Sequence, residues 1–75
     1  MSRIAQILLI ESVRQHNLSA LEIDPFHLVA LNNLGLLEIE FERQDQATEY
    51  FERALAVDPT NQTVRTSLDR LRRQN

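Results

Sequence analysis

Two histidines, a few serines and a closely spaced set of carboxylates are the residues of this 75-residue chain that could carry chemistry. His16 and His27 stand eleven residues apart. Neither belongs to an i, i+4 histidine pair or a His/Glu cluster, so zinc finds no ligand set here. Ser12, Ser19 and Ser67 lack a histidine placed to activate a hydroxyl. A single glycine cannot build a phosphate-cradling loop, and the absence of cysteine removes disulfides and thiolate metal sites. Glu38, Glu40 and Glu42 alternate. On a helix Glu38 and Glu42 share a face while Glu40 points elsewhere, which predicts a solvated acidic face; a cation site or a patch for a basic partner is the alternative. A non-catalytic chain with no cofactor and no metal is therefore expected. His16 is expected at the surface and His27 in a turn or a helix cap.

The elements that position these residues are helical. Apolar residues make up 43% of the chain against one Gly and two Pro, which favours a folded helical domain over disorder. Residues 3–23 carry Ile4, Ile7, Leu8, Val13, Leu18 and Leu21 mostly at helical spacings, and Leu9 and Ile10 make the first turns apolar nearly all round. Asp24-Pro25 stops that helix, because a residue before proline is pushed out of the α region. Leu28, Leu31, Leu34, Leu37 and Phe41 form the ladder of a second helix over 27–41. Gly35 lies inside the ladder at a cost of about 1 kcal/mol relative to alanine, which predicts a neighbouring helix too close for a Cβ. A third helix over 45–57 turns Ala47, Phe51, Ala54 and Leu55 inward and ends at Asp58-Pro59. Thr60 or Asn61 is placed to cap a fourth over 61–73, whose only apolar residues are Val64, Leu68 and Leu71. The residues between the second and third helices, Glu42–Gln46, include neither Gly nor Pro. They either turn or let the two helices run on as one rod, which would exchange helices with a second copy.

Ala20-Leu21-Glu22-Ile23-Asp24-Pro25 recurs as Ala54-Leu55-Ala56-Val57-Asp58-Pro59, an offset of 34 residues. With Leu34-Gly35, Ala47, Phe51, Ala54 and Pro59 at matching intervals, the chain resembles the tetratricopeptide repeat (TPR) family. The resemblance covers 28–61 as a full repeat. It makes 1–27 an N-terminal half-repeat and 62–75 a capping helix, all within one domain spanning 1–75. It implies an all-α fold of antiparallel helical hairpins, as in an α-solenoid. Three positions depart from the family. Leu31 stands for the aromatic near the start of the first helix, Glu38 for the family's tyrosine, and Glu42–Gln46 for a glycine-containing turn.

The resemblance also implies a scaffold that binds protein or peptide in a concave groove lined by the first helix of each repeat. In this chain that face would comprise Val29, Asn32, Asn33, Leu36, Ile39 and Glu40. Some family members grip a peptide carboxylate with Lys, Arg and Asn there. Asn32 has no Lys or Arg beside it on its helix, so an apolar or amphipathic segment suits the face better. About one and a half repeats is too little chain to close its own apolar flanks. A homodimer is expected, formed through Ile4, Ile7, Leu8 and Ile10 or by helix exchange.

Charge supplies a different hypothesis. Residues 1–58 hold ten acids and four arginines, residues 59–75 four arginines and one aspartate, and lysine is absent. Arg65, Arg70, Arg72 and Arg73 on the last helix could contact phosphates in a small dimeric nucleic-acid-binding protein. The net charge of −3 argues against bulk polyanion binding, so nucleic acid is not the expected partner. No unbroken apolar run exceeds four residues, the length of Ile7–Ile10, far short of a membrane span, and Glu11 and Arg14 follow that run before any cleavage site. A soluble cytoplasmic protein without a membrane anchor is expected.

Overall fold

A computed structural model describes residues 3–73; the outermost ends of the predicted half-repeat and capping helix, residues 1–2 and 74–75, lie outside it. The chain is all-α: α1 (Arg3–Ile23), α2 (Leu28–Glu40), α3 (Gln44–Val57) and α4 (Gln62–Arg73), with no strand among the described residues. These bounds meet the sequence expectation within a residue at each end. α2 packs against both α1 and α3, and α3 against α4. Short turns join sequential neighbours, as in antiparallel helical hairpins.

The core gathers Leu31 from α2, Ala47, Phe51 and Ala54 from α3, and Val64, Leu68 and Leu71 from α4. Phe51 is the largest fully buried side chain. Its ring lies over Gly35, where an added Cβ would stand 2.5 Å from Phe51 Cε1. The glycine inside the leucine ladder is thus explained by close approach: α3 reaches α2 through an aromatic ring, and α2 leaves out a side chain to admit it.

The 34-residue echo in sequence is an echo in hydrogen bonding. At the first turn the Asp24 N–H donates to the Ala20 carbonyl (2.9 Å), Asp24 Oδ1 accepts from the Phe26 N–H (3.0 Å), and the His27 N–H donates to the Asp24 carbonyl (3.0 Å). At the second, Asp58 N–H to Ala54 (2.9 Å), Thr60 N–H to Asp58 Oδ1 (3.1 Å) and Asn61 N–H to Asp58 carbonyl (3.2 Å) repeat the set. The N-caps correspond as well. His27 Nδ1 accepts from the Ala30 N–H at 3.2 Å, and Asn61 Oδ1 accepts from the Val64 N–H at 3.1 Å. Each satisfies an amide that a helix start would otherwise leave unpaired.

Residues 41–43 form a turn, so α2 and α3 do not run on as one rod in this chain. The Arg43 N–H donates to the Glu38 carbonyl (2.8 Å) and the Glu42 N–H to that of Ile39 (3.0 Å). This is the Schellman pattern, and it places Glu42 where glycine usually stands. Glu42 takes φ 58°, in the left-handed region that costs a residue with a Cβ about 1–2 kcal/mol. It lies outside the helix and does not share a helical face with Glu38. Glu42→Gly should therefore stabilise the chain by about 1 kcal/mol, raising the thermal midpoint by roughly 4–8 °C. Glu42→Ala, which keeps the Cβ, should give no such gain.

Candidate interaction surfaces

α1 buries a single residue, Asn17, and no apolar one. Its register on α2 is set by polar pairs. Arg14 meets Glu38, and Asn17 Oδ1 accepts from Asn33 Nδ2 at 3.3 Å. Running antiparallel from those pairs, α2 ends opposite Glu11. Residues 3–10 then continue past it for about 12 Å at 1.5 Å per residue. On this projecting part Ile4 is 71% exposed, Leu8 65% and Ile7 46%, while Ile10 is half-buried. Within the chain, three of the four expected self-association residues, Ile4, Ile7 and Leu8, lie open on a helical arm, and Ile10 is partly covered.

The expected groove face divides. Val29, Leu36 and Glu40 are exposed, and Asn32, Asn33 and Ile39 are half-buried. Asn33 stands on the α1 side, where it bonds Asn17. Leu36 and Ile39 line a cleft of about 260 Å³ together with Ser67, Arg70 and Leu71 of α4. Arg70 brings to this cleft the cation that α2 itself lacks; reading one helix at a time could not pair them. A larger cleft of about 410 Å³, between Pro25 and Phe26 on one side and Arg53, Ala56 and Val57 on the other, also had no sequence signal. Its walls lie 27 or more residues apart in the chain.

The acidic face expected of Glu38, Glu40 and Glu42 is corrected at Glu38, whose side chain is 3% exposed and ion-paired. Arg14 Nη1 donates to Glu38 Oε1, and Arg43 Nη1 lies 3.7 Å from Oε2. The guanidinium carbons of Arg14 and Arg43 stand 5.1 and 5.6 Å from the centre of the Phe41 ring, within cation–π range. Burial alone would lower the pKa of Arg14. The hydrogen bond and charge of Glu38, then those of Glu11 at 3.4 Å, outweigh it and hold the guanidinium above its ordinary range. The cluster joins α1, α2 and the α2–α3 turn through charge where the family resemblance implies an aromatic ring.

His16 is exposed. Among the described residues no group of three or more His, Cys, Asp or Glu is arranged to hold a metal ion, and no helix is long and apolar enough to cross a membrane. Compared with models of protein families, with curated proteins and with solved structures, the chain matches none. The class of protein therefore rests on what the fold presents: an all-helical chain with an apolar arm and a cleft between α2 and α4.

Proposed function

We propose that this chain is a non-catalytic interaction module of the tetratricopeptide type, which holds a partner segment against α2 and α4 and joins a second copy through α1. One observation carries the reading: the arm of α1 keeps Ile4, Ile7 and Leu8 in water within the chain. Fully burying each such side chain is worth about 1.5–3 kcal/mol, which favours a protein surface closing over the arm. The repeated turn at a 34-residue offset and the apolar wall of Leu36, Ile39 and Leu71 support the same reading. The proposed setting is the cytoplasm.

Nucleic-acid binding is the weaker reading, because the arginines of α4 part company. Arg65 and Arg72 line one cleft with Leu55, Leu68 and Asp69, while Arg70 lines the other with Leu36 and Ile39. A phosphate backbone is best tracked by a single basic stripe.

Sedimentation velocity at micromolar concentration tests the self-association. A dimer is expected. Ile7→Glu or Leu8→Glu should dissociate it, and Arg72→Glu should leave it intact. A compact monomer throughout the micromolar range would overturn this part of the reading.

A further inference from the structure

The arm of α1 has a charge order and a set of apolar positions that suit one particular partner. At 100° per residue, Arg3, Ile4, Ile10 and Glu11 all fall within about 60° of the direction of Ile7. Arg3 and Glu11 stand four residues to either side of Ile7. Arg3 is exposed, and Glu11 is half-exposed with its Oε1 at 3.4 Å from Arg14 Nε, which leaves its second oxygen for another cation.

We propose that two copies pair antiparallel through α1 about a two-fold axis beside Ile7, so that Arg3 of each copy faces Glu11 of the other. The proposal rests on the self-association reading and fixes its geometry. A two-fold interface must be self-complementary, with residue i meeting j and j meeting i. Centring on Ile7 satisfies this at each level: Ile7 meets its own copy, Ile4 meets Ile10, and Arg3 meets Glu11. A parallel pair would set Arg3 on Arg3 and Glu11 on Glu11, and would align the two helix dipoles unfavourably.

Overlap with α2 limits the same register. The overlap runs from residue 3 to residue 11, the part of α1 up to the position opposite the end of α2. α2 of each copy then ends close to Arg3 of the other. Sliding the pair further together would drive the arm of each copy into the Arg14–Glu38–Phe41 cluster of the other. Sliding it apart would return Ile4 and Ile10 to water and separate the charges.

The chain has no cysteine, so single introduced thiols report the geometry directly. Ile7→Cys should form a disulfide-linked dimer under mild oxidation, at concentrations where the unmodified chain sediments as a dimer. Glu22 lies on the same side of α1 fifteen residues further on. In the antiparallel pair two Glu22→Cys thiols would stand about 45 Å apart and remain reduced. In the charge test, Arg3→Glu should weaken dimerisation about tenfold, since two attractive pairs become repulsive, and Arg3→Glu/Glu11→Arg should restore it to within about threefold.

The possible failures differ. A dimer with no cross-link at Ile7, or with one at Glu22, overturns the antiparallel register and leaves self-association standing. A folded double variant without rescue overturns the Arg3–Glu11 pairing. A monomer at every concentration overturns both the register and the self-association.

Discussion

Phe51→Ala is expected to remove roughly half of the chain's stability at 25 °C. A domain of this size has roughly 4–11 kcal/mol of total stability, and removing a buried phenylalanine costs about 3–5 kcal/mol. The loss falls at the worst place, because Phe51 is fully buried and its ring fills the gap over Gly35. Urea unfolding followed by helical circular dichroism gives the size of the loss directly. Phe51→Leu should unfold at an intermediate urea concentration. The same contact predicts that Gly35→Ala destabilises despite alanine's better helix propensity. The gain is about 1 kcal/mol, whereas a methyl forced against a ring held on all sides costs about 1–3 kcal/mol. In the Phe51→Leu background the penalty of Gly35→Ala should shrink, since the atoms it meets are gone. If Phe51→Ala unfolds at the same urea concentration as the parent chain, the packing described for α2 and α3 is wrong.

Glu38→Ala should destabilise the chain by about 3–5 kcal/mol, the ordinary consequence of removing one member of a buried ion pair. The alanine leaves the Arg14 guanidinium, only 13% exposed, with the half-exposed carboxylate of Glu11 alone. Arg43, 56% exposed, can turn to water, so Arg43→Ala should cost under about 1 kcal/mol. Arg14→Met combined with Glu38→Leu should recover most of the loss, because two apolar side chains of similar volume serve such a site about as well as the pair does. The sign of the pH dependence follows from Arg14. Its folded-state pKa is raised, so its contribution is complete below the ordinary guanidinium range and is lost only as pH rises through the higher folded value. Between acid and neutral pH, Arg14 adds no slope to the stability curve. If Glu38→Ala and Arg43→Ala cost the same, the carboxylate is not enclosed as described.

Helix existence and helix ends were legible because they are written locally. The Asp-Pro stops, the leucine ladder of α2 and the narrow stripe of α4 each fall within a few residues, and periodicity reads them directly. Gly35 was legible as a place of close approach, and Phe51 as an inward-facing residue of the third helix. What remained hidden depends on pairing across the chain. Glu38 reads as a surface acid until Arg14, 24 residues upstream, is brought against it. The register of α1 on α2, and hence the free arm, follows from that pair and from Asn17 with Asn33, and no periodicity encodes it. Arg70 belongs to the α2 cleft only because α4 folds back beside Leu36 and Ile39. Glu42 was hard to read for another reason: a helix-favouring residue occupies a left-handed position, so local preference and backbone geometry disagree there.

The matching turns at Asp24 and Asp58 make the stretch between them a natural cassette. A block copied from Asp24 through Val57 and spliced in tandem after Val57 begins with an aspartate already bonded to the alanine four residues before it. It ends at the same kind of junction. Extending the molecule would therefore ask for no new connector, only another set of side chains to lay against the last.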